Sequence, residues 1–453
     1  MRVLLFSLNK ETLPEPAFPL GLAFLAAALE RAGHHFEVFD LCVQDISELA
    51  GLIEEFQPEL VALSLRNVDN VAYPETTTYL PHYAQVLATV RRLTDAVLVL
   101  GGPGYSLFAR RLLLELQADY GVVGSGEQVL VDLVAALQGR GRVEEINGLL
   151  IRHGEQISEG RGAGADSPWY MPLHERFPLE QYQEMGGMAT VQTKRGCPFT
   201  CIYCSYPVLE GRQPKMRPIE QVIAELKEIE ARGIREVYFV DSVFNNPPHY
   251  AKELCRAMLA ADLDLKWTCY AAPIHFDAEM ATLFVDSGCL GVEFGTDSLS
   301  PVMLANLGKS FSVAEVLEVS ALCHEVKLPF CHAILVGGPG ESRESLAETV
   351  ANLALTRASA VIFMTGLRII PGTRLHEIAL QEGVIGPETD MLEPRFYVSP
   401  AIQPLEPEIN RLSRLHKTWI FPGHEIRCSE HLAKFMRERG ARGPLWLHMT
   451  PPR

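Results

Sequence analysis

The chain has 453 residues, 47% hydrophobic and 21% charged, which is the balance of a folded protein of two or three domains. Its 40 Lys and Arg against 56 Asp and Glu leave a formal charge of −16. So acidic a chain repels phosphate backbones and anionic membranes, which excludes a nucleic-acid groove as its main surface.

The first residues, MRVLLFSLN, read as a buried strand rather than a signal peptide, and no apolar run is long enough to cross a bilayer. A cytoplasmic protein is expected. Strands are expected at 2–8, 36–41, 60–65, 96–102 and 120–126, with helices near 19–32, 43–56, 80–94, 106–117 and 127–138. Pro19 and Gly33 stand where the first helix wants its opening residue and its stop. Apolar strands alternating with helices indicate a doubly wound, Rossmann-like parallel sheet over 1–140, which binds ligands beyond the carboxyl ends of its strands. Residues 141–187 break this rhythm with a hairpin turning at His153-Gly154, a small-residue stretch and an aromatic run. They are expected to form a linker that packs its aromatics between two domains.

From 188 the alternation resumes, with strands at 188–195, 236–241, 266–272, 290–296, 329–337 and 360–367 and helices at 218–232, 247–260, 277–287, 312–326 and 342–356. That makes six β/α units over 188–375, fewer than the eight of a closed barrel. Residues 376–453 form a mixed cap, with helices expected in TRLHEIALQEGV and in EPEINRLSRLHKTWIF.

Ten cysteines are scattered except for one group, Cys197, Cys201 and Cys204 in KRGCPFTCIYCSYP, just after the first strand of the second domain. Thiolates are soft ligands that suit iron–sulfur clusters or zinc. Three of them can hold three irons of a cubane and leave the fourth open to another ligand. Zinc is the rival, but a structural zinc site needs a fourth ligand, and no Cys or His follows until His249 and Cys255.

On these residues the chain resembles the radical S-adenosylmethionine (SAM) superfamily, whose signature is CxxxCxxC with an aromatic before the last Cys, here Tyr203. The resemblance implies a partial six-unit barrel and a 4Fe–4S cluster whose open iron chelates SAM. Reductive cleavage of the sulfonium would then yield a 5′-deoxyadenosyl radical. It also places Asp241 and Ser242, at the end of the second strand, near the methionine amino end; a strand-end Asp that caps the next helix is the plainer reading. Glu293 on the fourth strand is placed at the ribose hydroxyls, or else in a buried salt bridge. Gly337, Gly338 and Gly340 either let backbone approach the adenine or serve a tight turn. IIPGTRL matches a further superfamily segment, although its Pro371-Gly372 is also an ordinary turn.

The first domain together with this barrel resembles the cobalamin-binding branch of the superfamily. The matching residues are FPLGLAFLAAALERAGH, the strand end Ser64-Leu65-Arg66-Asn67, GGPGYS at 101–106 and VGSGE at 123–127. The resemblance implies cobalamin contacts from Asn9, Leu20, Ser64, Leu65, Arg66, Asn67, Gly101, Gly102, Tyr105, Gly124, Gly126 and Glu127. The DxHxxG motif that ligates cobalt elsewhere is absent, so the lower face is expected to be covered by Arg66, Asn67 or Tyr105 rather than bound by His.

Both cofactors in one chain imply a methyltransferase for an unactivated carbon, less often phosphorus, of a small-molecule, lipid or peptide substrate. Methylcobalamin would supply the methyl group, and a flavodoxin or ferredoxin the electrons. A radical rearrangement, cyclisation or oxidation with the same cofactors is the alternative, and a non-catalytic cofactor-binding protein is the reading of another class. Arg368 and Tyr397, near the last strand and the cap, are candidates for binding a substrate carboxylate or relaying a proton, and Cys269 and Cys331 are possible barrel-facing thiols.

Overall fold

A computed structural model describes residues 1–13, 15–161, 168–416, 418–421 and 434–448. Of the scattered cysteines, Cys428 lies outside the described residues. The chain divides into two units. One is Met1–Thr12, Pro16–Asn70 and Thr77–Tyr182; the other is Leu13–Glu15, Val71–Thr76 and Gln183–Arg453.

The first unit is built on β1 (Arg2–Ser7), β2 (His35–Asp40), β3 (Leu60–Ser64), β4 (Val97–Gly101), β5 (Tyr120–Val122), β6 (Leu149–His153) and β7 (Gln156–Glu159). The sheet order is β2-β1-β3-β4-β5-β6-β7. Strands β1 to β5 are parallel because their apolar runs are buried on both faces, as at Val3–Phe6, and helices cover them. Helix Leu20–Arg31 buries most of its surface and ends in a Schellman turn, with Gly33 N donating to Glu30 O and His34 N to Leu29 O, each at 2.9 Å. Gly33 takes the left-handed φ of +75° that this turn needs. The strand order reverses at β1, so the ligand crevice of such a sheet opens at the carboxyl ends of β1 and β3.

Three details differ from expectation. The strand expected over 120–126 stops at Val122, where glycines take over. The helix expected over 106–117 is two short helices broken at Phe108. The hairpin at His153-Gly154 forms and extends the first sheet antiparallel through β5–β6. The aromatics after it pack within the first unit: Trp169 lies against Phe24, while Phe177, His174 and Tyr182 surround Phe18.

The second unit comprises β8 (Ala189–Val191), β9 (Lys194–Arg195), β10 (Lys215–Met216), β11 (Glu236–Phe239), β12 (Lys266–Ala271), β13 (Cys289–Asp297), β14 (Phe330–Val336), β15 (Ala360–Thr365), β16 (Leu367–Arg368), β17 (Phe396–Tyr397) and β18 (Trp419–Ile420). Its main sheet runs β8-β11-β12-β13-β14-β15-β18, all parallel and open at both edges. The six expected strands are present. The seventh, β18, falls where a helix was expected: helix Glu406–Leu415 ends early, and Phe421 stacks on Phe363 at 4.5 Å, which draws the chain in beside β15.

Register assigns the two faces of this sheet. Trp267 and its cross-strand neighbours face the covering helices, where Trp267 packs on Phe284 at 4.9 Å. Cys269, two residues on, shares that face. The opposite face carries Tyr238 and Thr268 in one row and Tyr270, Glu293, Cys331 and Ala360 in the next. Trp446 of the cap packs on Cys331 and Ala360, and a Cβ on Gly291 would lie 2.7 Å from its ring.

Candidate functional site

The loop between β9 and the short helix Tyr206–Leu209 carries the three clustered cysteines. It is pinned by backbone rather than by its thiols. Cys197 N donates to Gly211 O at 3.1 Å, Ile202 N to Leu307 O at 3.1 Å and Cys204 N to Cys201 O at 3.3 Å. Gly196, at φ +88°, has no room for a side chain, since a Cβ would lie 2.5 Å from Gln213 O. The thiols are therefore held in place without being spent on the loop's own structure.

Burial pushes the Cys201 thiol up and that of Cys204 up to about 12, and the neighbouring cysteines add to both shifts. Cys201 and Cys204, two thiols that resist ionisation, stand with Cys197 in a donor set that iron would relieve, because bound metal makes the thiolate the favoured form. Among the described residues, no group of three His, Cys, Asp or Glu is gathered as one metal ion would require. A cubane makes a different demand, since each thiolate takes its own iron.

Two residues missed in the sequence complete this corner. Lys309 Nζ lies 3.6 Å from Cys201 Sγ and is paired with Asp297, and Tyr203 donates its phenol proton to the same carboxylate. All of these groups are largely buried. Asp297 ends the strand that carries Glu293, at a left-handed φ of +64°, which marks a strand end under constraint. Lys309 follows a helix in an unpatterned stretch and left no signal.

Asp241, expected at the methionine amino end, is fully buried, with both oxygens occupied. Thr193 N and Oγ1 donate at 2.7 and 2.5 Å, Lys194 N at 3.1 Å and Lys194 Nζ at 3.0 Å. These donors explain why the strand expected over 188–195 breaks into β8 and β9. The carboxylate braces the entry to the cysteine loop, and Ser242 Oγ adds a 3.3 Å bond to Gly196 O.

Glu293 lies on the interior face and accepts from Tyr238 Oη at 3.0 Å. Burial, and then the like charge of Glu15, push its carboxyl up to about 7. No salt bridge to Glu293 occurs among the described residues. Tyr270, beside it in register, is 44% exposed, so this interior face is open to a ligand. Cys331 shares the face and is buried, whereas Cys269 faces the helices.

Gly337 and Gly338 are buried, and both N–H groups point at the Glu341 carboxylate, which burial pushes up to about 7. Gly337 takes φ +110°, and a Cβ on Gly340 would meet Asn306 Nδ2 at 2.6 Å. The tight-turn reading accounts for all three glycines, and Glu341, one residue beyond them, organises that turn.

The two residues expected to meet substrate are engaged elsewhere. Arg368 is buried and donates to Ile369 O at 2.7 Å and Met391 O at 2.9 Å. Tyr397 is buried in an apolar cluster and donates to Glu382 at 2.5 Å. Nearness to the last strand gave no information about side-chain direction.

In the first unit the expected residues gather along the carboxyl edge of the sheet. Asn9 follows β1, Leu65–Asn67 follow β3, Gly101–Tyr105 close β4, and Gly124–Glu127 follow β5. Leu20 opens the first helix, and Glu127 is buried at the start of helix Glu127–Leu137. Gly102, at φ +97°, allows the β4 turn to pass against β3, where a Cβ would lie 2.7 Å from Leu65 O. Ser106 Oγ receives Gly124 N at 3.0 Å, tying two of these turns together. Arg66 is exposed at this edge, and the small, backbone-dominated surface around it fits a flat macrocycle. Tyr105 does not belong to that surface. It is wholly buried, its hydroxyl has no partner, and its ring occupies the space a Cβ on Gly121 would need.

Comparison with known proteins agrees with both halves. Residues 191–353 match the radical SAM superfamily and residues 7–134 the B12 binding domain. The chain is 29% identical to tryptophan 2-C-methyltransferase of Streptomyces laurentii, over 80% of this chain and 72% of that protein. Among solved structures it is similar to the radical SAM methyltransferase TsrM of Kitasatospora setae, determined with tryptophan and a SAM analogue bound. That match has a TM-score of 0.87 at 26% identity and covers 99% and 97% of the two chains. The cobalamin-dependent enzyme OxsB shares the fold at 14% identity, with a TM-score of 0.74 over 97% of this chain and 72% of that one. No helix among the described residues is long and apolar enough to cross a membrane.

Proposed function

This chain belongs to the radical SAM enzymes that carry a B12-binding domain and work with a 4Fe–4S cluster, SAM and cobalamin, and we propose that it methylates a carbon atom of a small organic substrate. The observation that carries the proposal is likeness to a methyltransferase along nearly the whole chain, the cap included, rather than over the two cofactor modules alone. Bound together, the cofactors supply a methyl group and a means of activating the carbon that receives it.

The chain's own residues have the following parts in this reading. Cys197, Cys201 and Cys204 hold the cluster, and Asp241, through Thr193 and Lys194, fixes the approach to their loop. Ser242, Tyr203, Gly337 and Gly338 shape the SAM side, the glycines through their turn. Glu293 and Tyr270 line the interior where ribose or substrate would lie, and a carboxyl near neutrality can hold or release a proton there. Arg66 and Asn67, with the glycine turns after β4 and β5, form the cobalamin edge. A flavodoxin- or ferredoxin-type donor supplies electrons. Tryptophan, bound by the similar TsrM, is the first substrate to offer.

The test begins without substrate. Anaerobic reconstitution should load about four irons and one cobalamin on the wild type, and cobalamin alone on the triple Cys→Ala variant. Methyl-labelled SAM should then label the bound cobalamin. A product that gains one methyl group establishes the activity. A product of unchanged mass, or unlabelled cobalamin, would instead favour a rearrangement.

A further inference from the structure

Lys309 is the one cation whose contact with a cluster cysteine is seen among the described residues, and a buried ion pair alone does not account for its position. Its partner Asp297 already neutralises it, yet the ammonium is also turned to within 3.6 Å of Cys201 Sγ. Tyr203, two residues from that sulfur, donates to the same Asp297 carboxylate. The ammonium also lies 5.9 Å from the Tyr203 ring and 5.5 Å from that of Phe311, so it is enclosed on its remaining sides. The aromatic of the cysteine motif is thus a tyrosine whose hydroxyl fixes the carboxylate that fixes the lysine.

Charge and hydrogen bonds at the sulfurs are among the determinants of a cluster's reduction potential. Reduction adds one electron and so one negative charge, taken from an external one-electron donor. A fixed cation against one ligand sulfur favours the reduced form. We propose that Lys309, held by Asp297 and Tyr203, is a positioning residue that places a positive charge on Cys201 Sγ and raises the potential of the bound cluster. The proposal rests on the assignment of Cys197, Cys201 and Cys204 as its ligands.

The test is an EPR-monitored redox titration, with dithionite and mediators, of anaerobically reconstituted full-length protein without SAM. Iron content is measured on each sample. Lys309→Met should lower the reduced-to-oxidised ratio at the wild-type midpoint about tenfold, which for one electron is a shift of about 59 mV to more negative potential. Lys309→Arg should restore most of it. Asp297→Asn, which removes the opposing charge and keeps the lysine, should shift the midpoint the other way, and Tyr203→Phe should move it less than either. A merely structural role would not give shifts of opposite sign. An unchanged midpoint in iron-loaded Lys309→Met overturns the proposal. If Lys309→Met does not load iron, Asp297→Asn decides: a midpoint that stays put or falls overturns it. A wild type that holds no cluster would instead sink the ligand assignment.

Discussion

The cysteine corner of the second unit and the carboxyl edge of the first sheet, the two cofactor sites proposed above, are both built from loops at strand ends, yet they are made differently. Around the cysteine loop, charged side chains are buried and committed: Asp241 to four donors, Lys309 to Asp297, Glu293 to Tyr238. At the β1–β5 edge the fixed elements are backbone turns and glycines, and the charged Arg66 stands exposed. A cluster bound by Cys197, Cys201 and Cys204 would need three sulfur atoms held in place, which the polar scaffold around their loop would do. A flat macrocycle would need mainly a surface of the right shape, which the backbone turns at this edge would supply.

The largest test of this contrast is Asp241→Ala. It strands a buried lysine and three further donors, and breaking such a pair costs about 3–5 kcal/mol. The unfolding transition of the second unit in urea should move accordingly. Arg66→Ala, at an exposed position, should stay within about 0.5 kcal/mol of wild type, its effect confined to cobalamin retention. Equal losses in the two variants would break the comparison.

A second test uses pH. Glu293 has its folded carboxyl raised to about 7, against about 4.5 for an ordinary Glu. Between those values the folded chain holds a proton that the unfolded chain has lost, so this group's contribution to stability falls as pH rises from about 4.5 to 7 and is level above. The gap corresponds to about 3 kcal/mol. Glu293→Gln should therefore be more stable than wild type by up to that amount at pH 8 and indistinguishable from it at pH 4. Glu341 titrates in the same window but is untouched by the substitution, so the difference between the two proteins isolates Glu293. No difference at pH 8 would mean that the carboxylate is not buried at a cost.

What could be read from the sequence followed from how local each feature is. The cysteine motif lies within eight residues, and the strands declare themselves as short apolar runs, so the candidate ligands and the topology could be read directly from the sequence. Lys309 was not, because the atoms it serves lie 12 and 108 residues away along the chain. Nor was β18, a two-residue strand held by aromatic stacking on Phe363, 58 residues earlier. Arg368 and Tyr397 were misjudged for a related reason: position near a strand end is local, but which way a side chain turns depends on the packing around it.

Tyr105 gives the finest test of the edge. Its place in GGPGYS suggested a cover for the cobalamin face, whereas the structure buries it against Gly121 with its hydroxyl unsatisfied. A buried hydroxyl without a partner keeps the cost of its lost hydration and gains no bond in return. Tyr105→Phe preserves the ring that fills the space and removes only that oxygen. Stability should then be unchanged or rise by about 1 kcal/mol, with cobalamin content and absorption as in wild type. A loss of stability would reveal a partner for the hydroxyl, and an altered cobalamin spectrum would return Tyr105 to the ligand surface. Tyr182→Phe is the control: it deletes a 2.6 Å bond to the buried Asp40 carboxylate and should cost about 1–3 kcal/mol. Two phenols of the same unit, each wholly buried, should thus respond differently, with a loss of stability only at Tyr182, because only one of them has somewhere to put its proton.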